Sequence, residues 1–185
     1  MAWIKTIEDV EAVGQLKKIY KKLISERGKV SNIMKIQSLN PPALKSHLEL
    51  YMNLMFESSD LKRKERELIA VAVSSANGCK YCMNHHGEAL NHYWKDRSKI
   101  EKLWKDYKSL EFSEKIVSMI EYAVKLTKNP NDISQTDVVN LQKNGFTDGA
   151  ILDINLIVSY FNFVNRIALG LGVNFTPDEV SGYKN

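Results

Sequence analysis

The stretch ERELIAVAVSSANGCKYCMNHHGEAL, residues 65–90, reads as two helices joined by a tight turn. In the first, Leu68, Ile69, Ala72, Val73 and Ala76 recur at helical spacing, with Leu61 on the same face one register earlier. Asn77-Gly78 stops that helix and Cys79 opens the next. At about 100° per residue, Cys79, Cys82, Met83, His86 and Leu90 share one stripe of the second helix. Tyr81, Asn84 and Glu88 lie opposite it, and His85 sits on a flank.

The same period governs the rest of the chain, and no segment alternates as a half-buried strand would, so the expected fold is all-α. A first helix is expected over Ile7–Arg27, carrying Val10, Val13, Leu16, Ile19, Tyr20 and Leu23 inward and ended by Gly28. Asn40-Pro41-Pro42 begins another, with Leu44, Leu48, Tyr51, Met52 and Met55 on its apolar face. Ser59 or Asp60 is the expected cap of the Glu67 helix. Later helices are expected over 113–127, over 134–143 with Asp137 as capping-box partner of Ser134, and over 147–171. That last helix is apolar nearly all round and must be covered on most sides, Tyr160, Phe161, Phe163 and Val164 included, which favours a homo-oligomer, a hexamer or smaller. Asn155, Ser159, Asn162 and Arg166 form its polar stripe, read as a solvated edge.

The chain has 185 residues, enough for one buried core, and the expectation is one domain over 1–185. Its 44% hydrophobic and 26% charged residues exclude a disordered chain. The net charge of +4 comes from lysines spread over amphipathic segments, so nucleic-acid binding is not expected. No signal-like apolar core opens the chain, and no run approaches the roughly 18 apolar residues of a membrane span; the expected location is the cytoplasm. In that reducing compartment the two cysteines, separated by two residues, point to chemistry rather than to a structural staple.

Residues three apart on a helix have Cβ atoms about 5–6 Å apart, within reach of a disulfide, and His86 lies one turn beyond Cys82. The helix N-terminus favours a thiolate on Cys79, whereas the neighbouring imidazole favours one on Cys82. A structural zinc site would need a second ligand pair that the sequence does not offer, so no metal is expected. His85, His47 and His92 show no comparable geometry. Glu67, in KRKEREL, reads at face value as a solvated side chain. If the two helices pack antiparallel across Ala76-Asn77-Gly78, however, Glu67, His86 and Cys82 lie roughly 16, 10 and 5 Å below the turn. That order of carboxylate, imidazole and thiol suits activation of a nucleophile.

A glutamate, eleven residues, then C-x-x-C-x-x-x-H resembles the signature of the alkylhydroperoxidase D-like proteins of the carboxymuconolactone decarboxylase superfamily, and Glu67, Cys79, Cys82 and His86 match it position for position. GKVSNIMKIQSLNPPAL (28–44) and YFNFVNRIALGLGV (160–173) extend the resemblance to the peroxidase-related branch. The resemblance implies a helical bundle, an antioxidant thiol peroxidase without haem, flavin, metal or other cofactor, and a peroxide substrate. Cys82 would attack, Cys79 would resolve, and Glu67 with His86 would relay the proton. A lipoyl-bearing or thioredoxin-like protein would supply the external dithiol. The decarboxylase branch lacks the paired cysteines, which argues against lactone decarboxylation. The competing classes are a disulfide reductase without peroxidase activity and a non-enzymatic zinc or interaction module.

Overall fold

The computed structural model describes residues 2–176 and Glu179, and every regular element among them is helical. The helices are α1 (Gly14–Arg27), α2 (Asn32–Lys35), α3 (Pro41–Phe56), α4 (Arg63–Ala76), α5 (Lys80–Trp94), α6 (Arg97–Lys105), α7 (Glu114–Lys128), α8 (Gln135–Lys143) and α9 (Asp148–Gly170). The expected all-α architecture is observed; α2 and α6 are additions to the expected set.

Helix α4 is the axis of the bundle. Every residue from Arg66 to Ser74 is buried, because α5, α7 and α9 pack around it and α3 and α6 close the remaining sides. Ile69 and Val73 are fully buried, and each contributes about 2 kcal/mol by leaving water. The turn into α5 is as tight as the Asn-Gly pair suggests. Gly78 takes φ of 67°, a left-handed conformation that strains any residue with a Cβ, and the Cys79 N–H donates to the Ser74 carbonyl at 2.9 Å. Helix α9 holds this turn from the side. The Asn77 amide donates to the Asn162 and Asn165 side-chain oxygens at 3.1 and 3.0 Å, and Asn165 donates to Ser74 Oγ at 3.3 Å.

Several boundaries move from their expected places for identifiable reasons. Helix α1 begins at Gly14, whose φ of 55° interrupts the helical run, so Val10 and Val13 are exposed although their spacing is helical. The preceding segment is tied elsewhere: the Ile7 N–H donates to Ser38 Oγ at 2.9 Å and its carbonyl accepts from the Tyr20 hydroxyl at 3.1 Å. Neither Ser59 nor Asp60 caps α4, since both engage α9, Ser59 by donating to Asp153 and Asp60 by accepting from Thr147. Lys62 is the N-cap, and its N–H donates to the Glu65 carboxylate at 2.7 Å. The capping box expected at Ser134 is observed, and Asn40 and Thr147 cap α3 and α9.

Tyr160, Phe161 and Val164 of α9 are buried, but Phe163 is 49% exposed. The expected solvated edge is half interior: Ser159 and Arg166 face water, while Asn155 donates to the Tyr122 hydroxyl and Asn162 to Thr127. Tyr81, placed opposite the inward stripe of α5, is buried too. Its hydroxyl donates to Glu179 at 2.6 Å and accepts from the Ile33 N–H at 3.2 Å. No helix among the described residues is long and apolar enough to cross a membrane.

Acid should weaken this fold. Burial lowers the pKa of His47, bonded to Gln37 and Tyr160, from 6.5 to about 4, and that of His85, through burial and then the nearby His86, to about 3. A histidine with a depressed pKa is neutral in the fold while the unfolded chain binds a proton. Its stabilisation is therefore complete above pH 6.5 and lost as the pH falls from there to the folded value, about 3 kcal/mol for His47 alone. Urea midpoints should fall steadily below pH 6.5; a flat profile down to the ordinary carboxylate range would contradict these placements.

Candidate active site

Cys79 is the N-cap of α5, and its Sγ lies 3.0 Å from that of Cys82. Both thiols are free and only 1% exposed. A hydrogen bond between the two sulfurs, which the Cys79 thiolate accepts from Cys82, is the main reason the Cys79 pKa is lowered, with backbone donors at the helix start adding to it against the effect of burial. The same bond, then burial, pushes Cys82 well above the ordinary thiol range, while a hydrogen bond from Asn165 works in the opposite direction. The pair therefore titrates as a unit whose first negative charge rests mainly on Cys79. The more acidic thiol is thus Cys79, chiefly through Cys82 itself, with the helix-start donors adding to it.

Glu67 is not solvated. It is 1% exposed, and its Oε2 accepts from His86 Nδ1 at 2.8 Å while Arg63 reaches Oε1 at 2.5 Å. The antiparallel packing of α4 on α5 brings carboxylate and imidazole together across nineteen residues. Burial by itself would raise the Glu67 pKa, but the His86 and Arg63 charges and the His86 hydrogen bond outweigh it and hold the carboxyl below the usual range. With Nδ1–H committed to Glu67, His86 Nε2 is the nitrogen left to exchange a proton. The ring packs edge-on against Phe161 at 4.6 Å. Among the described residues neither thiol is hydrogen-bonded to His86, so the three groups are neighbours along the expected path rather than one continuous chain.

Glu67 and His86 open on a cleft of about 1340 Å³ between α1, α3, α4 and α5. Neither cysteine lines it; the sulfurs lie behind its wall. Three residues of this region were not expected. Arg63 was legible as an i, i+4 partner of Glu67. Asn165 is a polar residue on an apolar helix and is wholly buried, a signal hidden among the four polar positions of the adjacent stripe. Tyr51 was expected only in the core, yet it lines the cleft and borders the Glu67 charge. No group of three or more His, Cys, Asp or Glu able to hold a metal ion occurs among the described residues.

Residues 41–125, which contain the whole Glu67 to His86 motif, match the Carboxymuconolactone decarboxylase family. A crystal structure of a peroxidase-related protein from Silicibacter sp. TM1040 is 29% identical, with 97% of this chain and 96% of that one aligned at a TM-score of 0.84. An alkylhydroperoxidase AhpD core protein from Ralstonia eutropha JMP134 superposes over 97% of this chain and 94% of its own at a TM-score of 0.88, with 24% identity. YdfG of Bacillus subtilis is 25% identical over 118 residues, 63% of this chain and 79% of that protein. The chain thus has the alkylhydroperoxidase D-like fold over nearly its full length.

Proposed function

We propose that this chain is a thiol-dependent peroxidase without a cofactor, using Cys79 and Cys82 as its redox pair and Glu67 with His86 to manage the proton. The observation that carries the reading is a thiol pair at 3.0 Å, one member made acidic by the other, beside a buried carboxylate–imidazole pair. Of the two thiols Cys79 is the more acidic. His86, oriented by Glu67, takes the Cys82 proton and makes Cys82 the nucleophile, in keeping with the role that the family resemblance gives it.

The Cys82 thiolate attacks the outer peroxide oxygen, the O–O bond breaks, and the alkoxide takes a proton through His86 to leave as an alcohol. Cys82 is left as a sulfenic acid. The Cys79 thiol then displaces its hydroxyl, forming the disulfide while its own proton leaves with the hydroxyl as water, and His86 is left ready for the next thiol proton. Two thiols and one hydroperoxide thus give one disulfide, one alcohol and one water. Burial of both sulfurs favours a small oxidant over a protein disulfide as the first substrate. Gly78 and Lys80, on either side of Cys79, are exposed, so an external dithiol approaches from the turn and attacks the Cys79 sulfur. A lipoyl-bearing or thioredoxin-like protein fits that role. Peroxide consumption measured with each dithiol in turn tests the proposal: turnover with at least one supports it, and disulfide reduction without peroxide loss would favour the reductase reading.

We further propose assembly as a homo-oligomer. Leu152, Leu156 and Phe163 are 58, 40 and 49% exposed along one face of α9, an apolar stripe that a second copy would cover. Light scattering at micromolar concentration should give a mass above the 21.2 kDa of one chain; a monomer would refute this.

A further inference from the structure

The cleft beside Glu67 and His86 carries its charges unevenly. Each of its four glutamates has a cationic partner: Glu26 has Lys22, Glu49 has Lys45, Glu67 has Arg63 and Glu88 has Arg97. Two cations of the wall, Lys18 and Arg27, have no carboxylate partner among the described residues. Lys18 is exposed, whereas Arg27 is half-buried.

The Arg27 guanidinium is also held in place. It lies 4.9 Å from the Tyr51 ring centre and 5.0 Å from that of Phe56, and it donates to the Met52 sulfur at 3.1 Å and to the Tyr51 hydroxyl. All of these partners are neutral. A guanidinium fixed by aromatic faces, partly withdrawn from water and lacking a counter-ion is organised to receive a planar anion through paired N–H donors. The surroundings define the rest of the ligand. Ile19, Leu23 and Leu48 line the same cleft and offer apolar surface to a hydrocarbon body. One half-buried spare cation, with a single lysine nearer to solvent, suits a monoanion better than a phosphate.

We infer that this cleft binds an organic carboxylate with an apolar body, its carboxylate on Arg27. Resting on the peroxidase reading, the substrate class is then the hydroperoxide of a carboxylic acid, oriented by Arg27 with its apolar part between α1 and α3. The cleft exceeds the roughly 300–1,000 Å³ of most small-ligand sites, which leaves room for a chain of several carbons.

The test measures binding without turnover. Octanoate and octanol share an apolar tail and differ in charge, and calorimetric titration of each into the wild-type protein, Arg27→Gln and Arg27→Lys separates anion recognition from greasiness. The wild type should bind octanoate about tenfold or more tightly than octanol, the size of a charge-assisted hydrogen bond. Arg27→Gln should abolish that preference while leaving octanol affinity and the melting temperature unchanged, and Arg27→Lys should keep part of it. Equal affinities in the wild type, a preference that survives in Arg27→Gln, or no binding of either probe would overturn the inference. Octanoate bound through Arg27 by a protein that consumes no hydroperoxide would sink the peroxidase reading alone.

Discussion

Cys82→Ser should abolish catalytic peroxide consumption, and Cys79→Ser should abolish it equally under turnover. The two variants differ in what remains. With Cys82 alone, one equivalent of peroxide should still react, leaving a sulfenic acid that no neighbour condenses with and that a dimedone-type reagent traps. With Cys79 alone, the serine hydroxyl that replaces the Cys82 sulfur still donates to the thiol, but the nucleophilic sulfur beside His86 is gone, and peroxide should react far more slowly. A Cys79→Ser protein inert to peroxide beside a Cys82→Ser protein that forms the sulfenic acid would reverse the roles of the two cysteines while leaving the dithiol chemistry intact.

Glu67→Gln should slow peroxide reduction by a factor of about 10² to 10⁴, the usual range for losing a proton-transfer group. Glutamine retains the side-chain volume and an acceptor for His86 Nδ1–H but removes the negative charge that Arg63 and the His86 ring now face. The defect should shrink as the pH rises through the thiol range, because hydroxide then does the deprotonation. That pH dependence separates a proton-relay role from a merely structural one, which would lower the rate equally at every pH. Thiol alkylation rates from acid to alkaline pH on the wild type, Glu67→Gln and His86→Ala supply the comparison. Superimposable profiles would remove Glu67 and His86 from the mechanism.

The helical fold was legible because its signals are local. Asn40, Ser134 and Thr147 cap their helices through bonds that span three residues, and Gly78 turns the chain by its own backbone freedom. The misreadings have a common cause, since each depends on what another part of the chain supplies. Val10 and Val13 have helical spacing, but Gly14 and the hold of Ser38 and Tyr20 on Ile7 decide their fate. Ser59 has a cap's chemistry, yet Asp153 claims its hydroxyl. In Glu67 the local charge pattern and the tertiary environment disagree outright. Its neighbours in KRKEREL are mostly charged, and Lys62 and Lys64 face solvent, whereas packing from α5, α7 and α9 buries it against His86. The motif spacing conveyed this where amphipathic periodicity could not. The exposure of Phe163 is the reverse case, an apolar side chain that the rest of its own chain leaves half uncovered.

The central claim is that Cys79 and Cys82 together reduce a hydroperoxide. Its most direct test is to mix the fully reduced protein with one equivalent of cumene hydroperoxide and follow both products, the intact mass and the free-thiol count on one side and cumyl alcohol on the other. The account predicts one alcohol formed per chain, both thiols lost together, and a mass lower by two hydrogens that is restored by dithiothreitol. Unconsumed hydroperoxide with both thiols still free, or stoichiometric zinc that disappears in Cys79→Ser, would contradict it.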